Sequence, residues 1–296
     1  MKSNIMYYYN FNEIEIDKRD DAYYFRDKGR LYSFEKLIFP ARSEKLLLYL
    51  YQIGYQRGFK IIFNIYDKMF TNINNEWYVL VLYTEEKVNL SFDILNPIFL
   101  PSNIFSYQND SWDYLWMKKI DYYEYQISHF TNNYPLVQES FNYYVGMAEN
   151  AISYVRYNLS SEQLQSMNLC LCHNRISSKK YVNPLNLIVD YYPRDIAEYL
   201  KFLFFSDNYR NYSFYNLFQS LHFSREDYIL LYARLLFPSY YFDVYDDILN
   251  KKCSESRLKK IILLKDDYQC FLCNIYKLIS VYFSIPEVNW LKKEML

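Results

Sequence analysis

The chain has 296 residues, enough for one large domain or two packed ones. Its 33 basic and 34 acidic residues leave a formal charge of -1, so no global field recruits nucleic acid or an anionic surface, and no nucleic-acid fold signature is present. Its four glycines, Gly29, Gly54, Gly58 and Gly146, are too scattered for a Walker loop or a GxGxxG turn, which need clustered glycines to bring backbone N–H groups to phosphates.

The N-terminus, MKSNIMYYYNFNEIEID, meets acidic residues too early for a signal peptide, so the chain is expected to be made and kept in the cytosol. The longest uncharged run, Ile94 to Asn109, is short for a bilayer span and holds Pro97 and Pro101, so no membrane span is expected. Five cysteines in such a chain read as reduced thiols. The 37 tyrosines, partly in doublets, read as compositional drift, with an exposed adhesive or cross-linkable surface as the alternative.

In chain order, IMYYYNFNEIEI reads as a strand, and DAYYF and RLYSFEKLIF as a hairpin turning at Arg26-Asp27-Lys28-Gly29. ARSEKLLLYLYQIGYQRG places Leu46, Leu47, Leu50 and Ile53 at helical spacing, with Gly54 and Gly58 as C-cap glycines. FKIIFNIYDKMF and EWYVLVLY read as a second hairpin, whose last strand, Tyr78 to Tyr83, is apolar on both faces. After a proline-bearing connector the period becomes helical: Trp112, Trp116, Ile120, Tyr123, Ile127 and Phe130 recur at steps of three and four. A second helix fits Gln138 to Asn158, where Gly146 would let another element approach closely.

Two short strands, NLCLC and LNLIVD, then flank the polar loop CHNRISSKKYVNP. Asp195 followed by Glu198 reads as a capping box opening a helix through Phe205. Further helices fit YSFYNLFQSL, REDYILLYARLLF after Ser224, and the long RLKKIILLKDDYQCFLCNIYKLISVYF. The cysteines of NLCLC and of CFLC (Cys270, Cys273) read as core packing, since neither pair has a partner pair at zinc spacing; His129 and His222 read as packing or capping residues.

The predicted class is α+β: a small antiparallel-sheet lobe at 1–85, a connector at 86–110 and a helical lobe at 111–296, the element order of a two-lobed protein-kinase-like fold. The stretches YPLVQESFNYYVGMAENAISYV, LCHNR, VDYYPRDIAEYLK, ARLLFPSYYFD and IPEVNWLKK resemble the YutH/CotS-type spore coat proteins, relatives of aminoglycoside and choline phosphotransferases. The similarity covers nearly the whole chain, is strongest from 134 to 201 and at the C-terminus, and is weak in the first 80 residues. It implies a kinase-like fold, a role in sporulation and coat assembly among other spore coat proteins, and passage from the mother-cell cytoplasm to the coat.

In the active pattern of those phosphotransferases, a histidine is followed two positions later by an aspartate that orients the acceptor hydroxyl, and five further on by a metal-binding asparagine. Here His173 matches the histidine, but Arg175 and Lys180 hold the other two positions. Arginine offers no acceptor, and a lysine would repel a metal ion. Asn183 or Asn186 would be the substitute ligand of a rearranged loop. Asp190 matches the metal-binding aspartate; it reads either as a Mg²⁺ ligand or as the partner of Arg175 or Arg194. Lys36 and Glu44 are the candidates for the phosphate-holding lysine and its helix glutamate, each equally an ordinary surface residue. The resulting expectation is a non-catalytic, pseudokinase-type coat protein. The alternatives are an atypical ATP- and Mg²⁺-dependent small-molecule phosphotransferase, or a nucleotide-binding switch without transfer.

Overall fold

In the computed structural model the described residues are 1–19, 22–37, 40–54, 58–84, 96–105, 111–130, 134–176, 183–206 and 212–291. The chain opens with α1 (Lys2–Tyr9), not with the strand that its tyrosines suggest. Ile5 is fully buried, Tyr9 and Phe34 meet edge to face at 5.8 Å, and Asn10 ends the helix in the left-handed region at φ 56°, donating its N–H to Met6. Packing against the sheet therefore overrides the β propensity of a segment with little helical amphipathy of its own.

A six-stranded sheet follows: β1 (Asp17–Arg19), β2 (Ala22–Asp27), β3 (Arg30–Lys36), β4 (Phe59–Ile62), β5 (Phe70–Ile73) and β6 (Glu76–Tyr83), with α2 (Pro40–Gln52) between β3 and β4. Every pairing is antiparallel. The β2–β3 hairpin turns at Lys28 (φ 47°) and Gly29 (φ 77°), and β5–β6 turns at Asn74 (φ 53°) and Asn75 (φ 65°), the positive φ pairs that match a tight turn to strand twist. The expected single strand before EWYVLVLY is two strands, because β4 pairs with residues 80–83 of β6 and β5 with residues 76–79. β3 pairs with β6 over 78–83, so β6 is central, which explains its apolar character on both faces. One sheet face carries Phe25, Tyr32, Phe34, Tyr78, Leu80 and Leu82, packed with Ile5 and Ile14.

The helical part comprises α3 (Trp112–Phe130), α4 (Pro135–Asn158), α5 (Ser161–Ser166), α6 (Pro193–Phe205), α7 (Phe214–Ser220), α8 (Arg225–Leu236), α9 (Ser239–Leu249), α10 (Leu258–Leu263) and α11 (Lys265–Ser280). β7 (Leu169–His173) and β8 (Leu187–Tyr191) form a two-stranded sheet, and Phe99 bridges antiparallel to Cys170. α8 is buried nearly throughout and packs against α4, α6 and α11. By contacts the chain divides into Met1–Asp93 with His173–Ile188, and Ile94–Cys172 with Val189–Leu296.

Four expectations are corrected here. Gly146 does not admit a neighbouring element, since a Cβ built there meets nothing within 4 Å. Asp195 is not a cap: α6 starts two residues earlier at Pro193, and the Asp195 N–H donates to Tyr192 O. The long C-terminal helix is two helices, broken at Leu264, and Cys270 is exposed, although Cys273 is buried. Beyond these corrections, many of the tyrosines are core material, while others, such as Tyr125 and Tyr157, are exposed. Tyr123, Tyr144, Tyr228, Tyr232, Tyr241 and Tyr245 are fully buried, and the hydroxyls of Tyr144 and Tyr241 find partners in Ile261 O at 3.2 Å and Ser140 Oγ at 2.9 Å.

Candidate functional site

β7 delivers His173 to the start of the polar loop, where it is buried. Beyond it the loop closes on itself: Asn174 N–H donates to Asn186 O at 2.7 Å, Asn186 Nδ2 donates to Arg175 O at 2.8 Å, and Arg175 N–H donates to Asn186 Oδ1 at 3.2 Å. Arg175 Nη1 donates to Asn174 O at 2.8 Å. Asn183 caps the 3₁₀ turn Pro184–Asn186, accepting Leu185 N–H at 2.8 Å, and donates its amide to Glu35 Oε1 at 2.9 Å. Both asparagine side-chain oxygens are thus engaged by backbone. Lys180 lies outside the described residues.

Asp190, near the end of β8, is buried. Its Oδ1 accepts Trp112 Nε1–H at 3.0 Å and the Tyr191 N–H at 2.8 Å, and its Oδ2 accepts Arg194 Nη1–H at 2.8 Å. The arrangement follows from local structure: β8 ends one residue after Asp190, and Pro193 at the first position of α6 turns the chain so that Arg194 reaches back four residues. Of the two arginines weighed for Asp190, Arg194 is its partner. Trp112 brings in the start of α3, a contact that no local pattern announces.

A second buried cluster continues along α6. Glu198 Oε1 accepts Arg234 Nε–H at 2.9 Å, with Lys201 Nζ at 3.8 Å. Lys201 donates to Phe237 O at 2.9 Å and Ser239 Oγ at 3.0 Å. The Arg234 guanidinium lies 5.4 Å from the Trp112 ring and 5.8 Å from Trp116, within cation–π reach of both neighbouring rings, which continues the Asp190 cluster. Sequence reasoning missed this network. Its one legible sign is Arg194, Asp195, Glu198 and Lys201 in a helix that is otherwise apolar.

In the sheet, Lys36 forms an ion pair with Glu76, which also accepts Tyr78 OH at 2.6 Å. Glu44 is exposed on α2. The residue beside Lys36 is the buried one: Glu35 accepts Ser33 Oγ–H at 2.7 Å, Asn183 Nδ2–H at 2.9 Å and Tyr83 OH at 3.2 Å. Of the Glu35-Lys36 pair, it is therefore the acid that meets the loop carrying Asn183.

A Mg²⁺·nucleotide group is what the phosphotransferase pattern would place at Asp190. The residues present do not fit it. Three donors already hold the two carboxylate oxygens, one of them a guanidinium that would repel a divalent cation. Among the described residues no cluster of three or more histidine, cysteine, aspartate or glutamate side chains is arranged to hold a metal ion.

The fold is that of aminoglycoside phosphotransferase-like kinases. It matches the crystal structure of an aminoglycoside phosphotransferase from Alicyclobacillus acidocaldarius subsp. acidocaldarius with a TM-score of 0.63, over 90% of this chain and 92% of that one, at 11% identity. It matches spectinomycin phosphotransferase, solved with ADP and spectinomycin, with a TM-score of 0.56 over 90% and 92% of the two chains, at 12% identity. Within that class, the chain belongs to the family described as "Spore coat putative kinase YutH", whose model matches residues 2–275. A curated relative, the endospore coat-associated protein YutH of Bacillus subtilis (strain 168), is 28% identical over 211 residues, 62% of this chain and 61% of that protein.

Proposed function

We propose that this protein is a non-catalytic, kinase-like component of the spore coat that acts in coat assembly through contacts with other coat proteins. The family description and the coat-associated relative support the coat role. The observation that carries the non-catalytic part is the Asp190 carboxylate, committed to Trp112, Arg194 and its own backbone. Arg175, two residues after His173, adds to it, because a guanidinium cannot accept a hydroxyl proton. With no base at position 175 and no free carboxylate at position 190, the fold serves in this reading as a shaped surface. No helix among the described residues is long and apolar enough to cross a membrane.

The test is thermal melting with and without saturating ATP and Mg²⁺. A ligand at 100 times its Kd adds about 2.7 kcal/mol, well above the noise of such a measurement. The expected result is no metal-dependent shift and no ATP consumption. A shift without turnover would replace this reading with the nucleotide-binding switch, and turnover with the atypical phosphotransferase.

A further inference from the structure

Strand alternation sends the adjacent side chains Glu35 and Lys36 to opposite faces of β3. Lys36 finds a carboxylate, Glu76. Glu35 finds no such counter-charge: although only 7% exposed, it is held by three neutral donors, all of them on Oε1. Among the described residues, no cation is paired with it and no donor meets Oε2.

The proton count sharpens this asymmetry. Ser33 and Tyr83 own one hydroxyl proton each, and their oxygens lie 3.0 Å apart. Burial first, and then the Glu35 charge, push the Tyr83 phenol far up, so Tyr83 stays a donor. Three donors oversupply an oxygen that has two lone pairs, while no donor among the described residues meets Oε2. Buried carboxylates are ordinarily matched by a cation, as Asp190 is by Arg194. A phosphate or other anion brought here would meet repulsion; an ammonium or guanidinium group would supply both the missing charge and the missing donor.

We propose that Glu35 Oε2, framed by Ser33, Tyr83 and Asn183, is a binding site for a cationic nitrogen group, a primary alkylammonium or a guanidinium. The group comes from a free polyamine or from a lysine or arginine side chain of a partner. The site stands whether or not the protein belongs to the non-catalytic class, because it uses no residue of the Asp190 cluster.

The test is calorimetric titration of the full chain and of Glu35→Gln, at low salt, with spermidine and with lysine and arginine blocked at both backbone ends. A charge-assisted hydrogen bond predicts that the wild type binds at least one probe about tenfold tighter than the Gln variant. Preference for spermidine assigns the group to a free polyamine, and preference for a blocked amino acid assigns it to a protein side chain. Glu35→Asp keeps the charge but withdraws it by one methylene; it weakens binding under the proposal and serves if the Gln variant does not fold. Equal affinities in wild type and variants, or no binding of any probe, overturn the proposal. So does binding that emerges only when Lys179 and Lys180, close before Asn183 in sequence, are changed to alanine, since the cation would then be the chain's own.

Discussion

Asp190→Ala tests whether the carboxylate is a structural clasp. The substitution takes from Arg194 its carboxylate partner and from the Trp112 indole its acceptor, in a place where Asp190 is 5% and Arg194 7% exposed. Removing one partner of a buried ion pair costs about 3–5 kcal/mol, and the lost indole hydrogen bond, worth ~1–3 kcal/mol, overlaps with that figure because both act through the same two oxygens. The expected loss is therefore about 3–5 kcal/mol, a large part of a typical 5–15 kcal/mol stability. The double variant Asp190→Ala/Arg194→Met removes both charges and should recover a good part of the loss. Urea unfolding followed by tryptophan fluorescence is the suitable assay, since Trp112, Trp116 and Trp290 all fall in the part of the chain that holds Asp190. A loss below about 1 kcal/mol, with single substitutions that simply add, would refute the clasp and return Asp190 to candidacy as a metal ligand.

Gly146→Ala should stabilise the protein by up to ~1 kcal/mol, because the helical glycine has open space where the Cβ would go; destabilisation in the same urea assay would contradict this. Burial raises the Tyr241 phenol to about 12 from an ordinary value of 10, so the unfolded state releases that proton first. Its contribution is complete below pH 10 and declines between about pH 10 and 12 by about 1.4 kcal/mol per pH unit. Tyrosinate absorbance should accordingly show a late group that ionises together with the loss of helical circular dichroism, and smooth titration of every tyrosine near pH 10 in folded protein would contradict it. Cys270, exposed on α11, should react first with a thiol reagent and half-buried Cys253 more slowly, whereas buried Cys170, Cys172 and Cys273 react only on unfolding; Cys270→Ser should remove the fastest phase.

Much of this fold was legible because its signals are local. The 3.6 period of Trp112 to Phe130 matches the span of α3, the turn at Lys28-Gly29 makes the first hairpin, and the helix read after Ser224 is α8, which Ser224 caps. The errors fall where tertiary contacts decide. α1 has strand-like composition and is helical because Ile5 and Tyr9 pack on the sheet. α9, a stretch with no element assigned from the sequence, follows Pro238 and is fixed by burial of Tyr241, Phe242 and Tyr245. The candidate site divides in the same way. The positions of His173, Arg175 and Asp190 come from the family resemblance, and the choice of Arg194 as the partner of Asp190 follows from an i, i+4 step. The contacts to Trp112 and from Asn183 to Glu35 join residues 78 and 148 positions apart, and no local pattern announces them.

Glu35 and Asp190 are both buried carboxylates that accept three hydrogen bonds, and they should respond oppositely to neutralisation. Asp190→Asn keeps the shape but removes the charge that balances Arg194, so it should cost several of the roughly 3–5 kcal/mol assigned to the clasp. Glu35→Gln keeps an acceptor for Ser33, Tyr83 and Asn183 and removes a charge that no described cation balances, so it should be neutral within about 1 kcal/mol or stabilising. The urea midpoints of the two variants check this directly. If Glu35→Gln costs as much as Asp190→Asn, a cation already balances Glu35 within the folded chain, and the carboxylate is structural. If it is neutral while probe binding is lost, the buried charge serves recognition of a cationic group and contributes little to holding the fold together.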